Sequence, residues 1–592
     1  MTFPRYVSLL LLCAGAVACY GTVEQSGPGG EDDPAPPASS APVPPAPARF
    51  SCDASAVPAD LPLPRLSRTQ LANSLRFAIA RALPNEADAL WAELAPTFAR
   101  YPTDQRKPAP GDLRGGYSRL DQSIQQSQVD AMYDVGVVIA RELTRTPARL
   151  EAVLGRCATD SNTSNDRGCL EDFIKGWGSR ILRAPLPAAE VTFHADIAGN
   201  TPVEPAAVAD VIATLLNSPR FLYRVESGTQ NAEEVSPLSA YELASRLSYQ
   251  FWQEPPDDAL WAAAAGGSLL TPEGYDARLT RLLESPKLRN SLDDFISEWL
   301  RLEELPSLVT LRNDPVYKSF VGERMPTEAT RTAMLEDVRR SAWQTVSSGG
   351  SVSDFLWDRH SYTDDPFLAA VYDVPVWNGT GPAPVMPSTR RSGLLTRAAL
   401  LATGTASTRP IHKGYLVRNA LLCQQVGAPP PNATDTPPVP TATITTREAV
   451  TAMTSTAACR GCHKATINPQ GFVLEGFDAL GRERLQERLF DAQGHETGAP
   501  TVDTVAEVHV YDDEFRVLDS AVGLTQAIDD SQLMESCLAR NYFRFAHARV
   551  ESEERDGCLL AELEQVTRGG APLAELLRKV AHHPSFKQRR FQ

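Results

Sequence analysis

From about Leu61 onward, apolar residues recur every three or four positions. Leu71, Leu75, Ile79 and Leu83 stand four apart behind Ser67 and Gln70, a capping-box pair. That spacing predicts a helix with one buried stripe. The same rhythm returns over 208–222. Ser239 with Glu242 opens another helix, in which Leu243, Leu247 and Phe251 share a face. Thr271-Pro272 sets a cap and a first-turn proline before Leu279, Leu282 and Leu283, and Leu292, Phe295, Ile296 and Trp299 repeat the pattern. Alternation with period two is rare, and 501–510 is the best strand candidate. The expected fold class is mainly α, a multi-module helical protein.

Two stretches break the rhythm. Residues 27–48 are Pro, Ala, Gly and Ser with a few acids, a composition that cannot bury a core, so 19–60 reads as a tether. Pro429-Pro430-Pro431 and Pro437-Pro438-Val439-Pro440 form a second cluster. It is either a linker or an extended polyproline segment laid on the surface. The sequon Asn432-Ala433-Thr434 lies inside it.

The N-terminus carries an address. Arg5 precedes a run over 7–18 that is apolar except for Ser8, long enough for a signal-peptide core and too short to cross a bilayer. It ends Ala16-Val17-Ala18-Cys19, which resembles a bacterial lipobox with Ala where Leu is usual. The expectation is a signal over 1–18 and lipidation at Cys19. A plain secretory signal with a coincidental cysteine is the alternative. The mature chain is then exported and anchored to the cell envelope membrane through its N-terminal lipid.

The chain has 592 residues and a net charge of −16. Without a domain-scale excess of Lys and Arg to neutralise phosphates, no nucleic-acid partner is expected. With 9 His and 7 Met, a site built on either type draws on a short list. Export also makes the ten cysteines legible. Setting aside Cys13 in the signal and Cys19 leaves eight, which in an oxidising compartment pair or carry something.

Thr445 with Glu448 caps a helix that runs into Cys459-Arg460-Gly461-Cys462-His463. Cys-x-x-Cys-His is the attachment signature of c-type haem. Two thiols one helical turn apart reach both vinyl groups of one porphyrin, and the adjacent imidazole faces the iron. With 10 Cys and 9 His, chance would produce the motif about 0.003 times, treating positions as independent. Covalent haem c on Cys459 and Cys462, with His463 as proximal iron ligand, is the expected cofactor. A dithiol or disulfide and a zinc site are the competing readings, but no βαβ context and no second ligand pair at zinc spacing accompany the motif.

The sixth ligand is open. Met534 is the downstream methionine, yet it sits in an apparent helix near Cys537 where core packing suits it. His495, His509 and His547 are among the downstream histidines, and Met453 precedes the motif on the same helix. Without a strong distal ligand the iron would be open to small molecules.

Several segments resemble the exported, c-type-haem-bearing multidomain family of planctomycetes and myxobacteria, known by its modules DUF1587, DUF1595, DUF1592, DUF1588 and DUF1585. Leu66-Ser67-Arg68-Thr69-Gln70-Leu71 is similar to its first module. Cys169-Leu170-Glu171-Asp172-Phe173-Ile174 and Arg183-Ala184-Pro185-Leu186 are similar to the second. Ser218-Pro219-Arg220-Phe221-Leu222-Tyr223-Arg224, Tyr241-Glu242-Leu243-Ala244-Ser245-Arg246-Leu247-Ser248 and Pro255-Pro256-Asp257-Asp258 are similar to the large central one. The haem-bearing module is matched by Arg391-Ser392-Gly393-Leu394-Leu395-Thr396, Arg409-Pro410-Ile411-His412-Lys413-Gly414 and Leu421-Leu422-Cys423. It continues through the haem motif to Asn468-Pro469-Gln470-Gly471-Phe472, Glu475-Gly476-Phe477-Asp478 and Gly481-Arg482. The resemblance implies modules at 61–145, 146–225, 235–375, 388–490 and 515–592, and haem binding without a substrate. By analogy with cytochromes c, the Pro469 carbonyl would accept a hydrogen bond from His463, fixing its tautomer; a plain helix-terminating turn is the alternative.

His412 reads as a surface residue, and Tyr542, Phe543, Phe545, Trp252, Trp261 and Trp299 as packing. No paired carboxylates, nucleophile elbow or phosphate loop supports hydrolase chemistry. The six other cysteines allow 15 pairings. Cys157–Cys169 would bracket a polar loop, Cys537–Cys558 would staple two C-terminal helices, and Cys52–Cys423 follows by elimination. Three functions stay in play: a haem protein passing electrons to a redox partner protein, a haem-dependent oxidoreductase with an open distal site, and a binding or scaffold protein whose motif is structural.

Overall fold

The computed structural model describes residues 42–56, 59–108, 116–229, 235–427 and 441–590. The signal, Cys19, most of the tether and the second proline cluster lie outside the described residues.

Capping side chains set where the helices begin. Ser67 and Gln70 close a reciprocal box on Arg68–Ala82, Ser239 and Glu242 do so on Ala240–Phe251, and Thr445 and Glu448 on Thr446–Met453. Each box satisfies two backbone N–H groups that the first turn leaves without partners. Thr271 accepts from the Gly274 N–H, and Pro272 opens Pro272–Leu283 where its missing N–H costs nothing. The result is mainly helical. Among the described residues strands are confined to three antiparallel pairs: Val235–Pro237 with Gln588–Arg590, Leu489–Phe490 with Glu496–Gly498, and Ala506–Tyr511 with Glu514–Leu518. The last hairpin realises the second half of the period-two stretch, with Ala506, Val508 and Val510 inward. Among the described residues no helix is long and apolar enough to cross a membrane.

The helices bury their stripes in two large cores. Leu71, Leu75, Ile79, Ile139, Leu170, Trp177, Leu215 and Phe221 belong to one, in which helix Gln126–Thr144 lies along Pro205–Leu216. The segments 61–145 and 146–225 therefore share a single core. Leu247, Trp299, Leu394, Val473, Val508 and Phe543 belong to the other, which gathers side chains from 238 to 586 together with Tyr117 and a few that precede Cys52. The two meet at helix Ala240–Phe251, whose Tyr249 lies in the first core while Leu243, Leu247 and Phe251 lie in the second. Gln70 Nε2 donates to Gln253 Oε1 at 2.8 Å, and the Ser74 and Tyr249 hydroxyls lie 2.7 Å apart.

The tether ends earlier than its composition suggests. Val43, Ala46 and Phe50 are buried in the larger core. The Ala46 N–H donates to the Ser531 carbonyl at 2.9 Å. Glu564 accepts the Arg49 N–H at 2.9 Å and the Phe50 N–H at 3.1 Å, and also the Ser536 hydroxyl at 2.5 Å. An extended backbone offers unpaired N–H groups, and a buried carboxylate with three donors is the complementary acceptor.

This docking rearranges the expected disulfides. The bridges are Cys52–Cys558, Cys157–Cys169 and Cys423–Cys537. Cys157–Cys169 closes its polar loop, while Cys537–Cys558 and Cys52–Cys423 exchange partners. The segment ending at Cys52 lies across helix Glu553–Arg568, so close that a Cβ on Gly557 would stand 2.3 Å from the Ser51 carbonyl oxygen. That delivers Cys52 to Cys558. Cys423 follows the turn Val417–Leu421, which packs on helix Leu533–His547, and so meets Cys537.

Candidate functional site

Helix Thr446–Met453 ends at Thr454. A short helix, Ala457–Cys462, then runs into a π-helical turn, His463–Ile467, and a further helical turn, Asn468–Phe472. Helix Pro410–Leu416 supports this unit from below. Gly414 and Gly471 let the two backbones touch, because a Cβ on Gly414 would lie 1.9 Å from the Ile467 carbonyl oxygen. One on Gly471 would lie 2.0 Å from that of Pro410. Only hydrogen fits between them.

On this platform Cys459 is half-buried and Cys462 exposed, and they are the two cysteines among the described residues that stay unpaired. His463 is half-buried beside them. Its Nδ1 lies 3.1 Å from the Asn468 side-chain oxygen. Asn468 in turn donates from Nδ2 to the Thr454 hydroxyl oxygen at 2.9 Å, and Thr454 gives its own proton to the Val450 carbonyl at 2.7 Å. The chain of donors has one consistent direction. With the Thr454 proton committed, the Asn468 amide nitrogen must face Thr454, so its oxygen faces His463. Nδ1 is therefore the protonated nitrogen, and Nε2 keeps its lone pair for a metal.

The expected role of the Pro469 carbonyl passes to Asn468. Pro469 opens its helical turn and its carbonyl accepts the Val473 N–H at 3.3 Å, so it is committed to the helix. The signal for Asn468 was the residue before the proline, whose amide reaches back one turn.

Other motif residues build the ground beneath. Gln470, fully buried, donates to the His509 carbonyl at 3.1 Å. Glu475 is a buried hub that accepts from Thr408 at 2.5 Å, Lys413 at 3.2 Å and Arg484 at 2.7 Å. Burial, opposed by Glu475, lowers the Lys413 ammonium pKa. Asp478 ties the following turn, accepting from the Leu480 N–H at 2.8 Å and Arg482 Nε at 2.6 Å.

On the turn Val417–Leu421 stands Arg418, a residue the sequence did not single out. It is 6% exposed, and burial pushes its guanidinium down to about 10, opposed by the Cys462 sulfur. Its Nη1 lies 3.5 Å from His509 Nδ1, and its Nε is buried with no partner. His509 donates from Nε2 to the Asp512 carbonyl at 2.6 Å and stacks on Phe515.

The remaining candidates are elsewhere. Met534 is fully buried in the larger core, so its sulfur is packed among apolar side chains and not presented to the exposed motif. His547 is buried, stacks on Phe543 and meets Ser585, and burial holds its pKa well below the usual imidazole range. His495 pairs with Asp491 in an exposed turn, and His412 faces Glu304 at 3.4 Å. Of the downstream histidines, His509 alone lies on a strand that packs against the turn His463–Ile467. Among the described residues no three His, Cys, Asp or Glu side chains are grouped to hold a metal ion by themselves.

No curated protein and no solved structure matches the chain. Three family models do. Residues 169–226 match PSD5, a protein of unknown function (DUF1595), residues 238–374 match PSD4, a protein of unknown function (DUF1592), and residues 391–487 match PSCyt3, a protein of unknown function (DUF1588). The platform just described, from Arg391 to Glu487, falls within the third match. The three matched segments follow one another along the chain in the order DUF1595, DUF1592 and DUF1588, in line with the sequence resemblance.

Proposed function

We propose that this chain is an exported, lipid-anchored c-type haem protein that carries electrons or supports a one-electron redox reaction. We read the flanking segments 61–145 and 515–592 as its DUF1587-like and DUF1585-like modules. The observation that carries the proposal is the donor chain Val450–Thr454–Asn468–His463, which leaves Nε2 free beside two unpaired thiols.

The residues fit the group. Cys459 and Cys462, one helical turn apart on Ala457–Cys462, would hold the porphyrin edge, and His463 Nε2 would ligate its iron. A bound haem supplies a one-electron iron couple. Asn468 keeps the proton on Nδ1 and the imidazole ring in one orientation, which raises the basicity of Nε2. The glycine contacts at Gly414 and Gly471 hold the platform under it. The exposed face of Ala457–Cys462, with Arg460 and Lys464 flanking the thiols, leaves room for a partner protein to approach.

The burial of Met534 favours a second reading, an oxidoreductase whose distal iron face is open to a small molecule. The two separate by carbon monoxide binding to the reduced protein, which the second expects and a six-coordinate electron carrier resists.

The test is maturation in a host competent for cytochrome c assembly, followed by haem staining on a denaturing gel. A stained band that disappears in the Cys459→Ala/Cys462→Ala double variant is expected. An unstained parent, with both thiols titratable, overturns the proposal and leaves the motif structural. Release of the chain from membranes by Cys19→Ala tests the anchor separately.

A further inference from the structure

Arg418 is buried, yet among the described residues no carboxylate stands within ion-pair distance of it. Its Nη1 donates to His509 Nδ1, a neutral acceptor at 3.5 Å, and its Nε has no partner. Two other arginines of this region do meet carboxylates. Arg397 lies between Asp337 and Asp358 at 2.7 and 2.9 Å, and Arg484 sits 2.7 Å from Glu475. An isolated buried cation is costly unless an anion meets it. The geometric link to the motif runs through His509, which lies on strand Ala506–Tyr511; that strand packs against the turn His463–Ile467.

We propose that Arg418 receives a propionate carboxylate of the haem carried by Cys459 and Cys462. This inference rests on the haem reading and goes beyond it by assigning the anion socket. A haem brings two carboxylates, and the planar fork of a guanidinium matches one of them with two parallel hydrogen bonds. The position is held from below, because the Arg418 carbonyl accepts the Gln424 N–H at 2.8 Å at the end of the π-helical turn Val417–Leu421. His509, fixed through Nε2 to the Asp512 carbonyl, keeps its Nδ1 lone pair turned to Nη1 and so steadies the fork. Arg418 thereby acts as a binding and positioning residue whose positive charge favours the reduced iron.

The test uses the matured full chain with R418Q and R418K, a denaturing-gel haem stain, a redox titration, and a crystal structure of the unaltered holo-protein. All three proteins are expected to stain. The reduction equilibrium of R418Q falls at least tenfold (about 59 mV for one electron) while R418K stays within about threefold. The crystal structure is expected to put a propionate oxygen within ion-pair distance of Arg418. An unstained unaltered chain fells the haem reading itself. Stained protein with both propionates turned away from Arg418, or an R418Q equilibrium equal to the parent's, overturns this inference alone. If R418Q does not accumulate, R418K and the holo crystal structure decide.

Discussion

Asn468 is the residue whose replacement tests the geometry most sharply, because two substitutions should move one observable in opposite directions. It is 3% exposed, 3.1 Å from His463 Nδ1 and 2.9 Å from the Thr454 hydroxyl. Asn468→Ala removes the acceptor, lowers the basicity of Nε2 and weakens its donation to ferric iron. A neutral hydrogen bond is worth about 0.5–1.5 kcal/mol. If all of that differs between oxidation states, the midpoint potential rises by about 20–65 mV, at roughly 59 mV per tenfold change. Asn468→Asp places a carboxylate against Nδ1. Charge-assisted bonds are about twice as strong, so the gain over the parent bond is again about 0.5–1.5 kcal/mol and the potential should fall by about 20–65 mV. A spectroelectrochemical titration of the matured variants reads both. The alanine variant also leaves buried groups unpaired and should cost the fold about 1–3 kcal/mol, measured separately by denaturant unfolding. Shifts of the same sign, or potentials unmoved in both, would refute the assigned tautomer.

Gly471→Ala or Gly414→Ala should destabilise the platform under Cys459–His463 by about 1–3 kcal/mol or more, since each new methyl meets a backbone carbonyl near 2 Å; an unchanged urea midpoint would contradict the close approach. Cys52→Ser/Cys558→Ser should lower stability by about 2–5 kcal/mol and expose residues 43–56 to protease. Non-reducing peptide mapping that finds Cys537 joined to Cys558 would contradict the pairing. Burial, reinforced by Glu298, raises Asp294 from its ordinary 3.8 to about 7. The folded state then holds a proton that the unfolded state releases, so stability declines as pH rises between about 4 and 7 and is flat above. Asp294→Asn, which keeps an acceptor for Gln253, should remove that slope and stabilise the protein at pH 8; an unchanged pH profile of unfolding would count against it.

The helical plan was legible because caps and apolar spacing are local signals. Ser67, Ser239, Thr271 and Thr445 each sit at the N-cap their neighbours predicted. What escaped depends on contacts across hundreds of residues. Composition alone made 43–56 part of a tether, because nothing local shows that Glu564 waits for its backbone N–H groups. The same docking sends Cys52 to Cys558, a pairing that spacing could not choose among 15. At the site, Cys459, Cys462 and His463 stood out by spacing. Asn468 was hidden behind Pro469, and Arg418 carries no signal except its burial, which only the packed helices reveal.

The central claim is a tetrapyrrole joined through sulfur to positions 459 and 462. Peptide mass spectrometry of chain matured where cytochromes c are assembled reads it directly. One haem is expected on the fragment spanning Cys459, Cys462 and His463, and none after both cysteines are replaced. Recovery of that fragment at its unmodified mass, with both thiols free or bridged to each other, would contradict it.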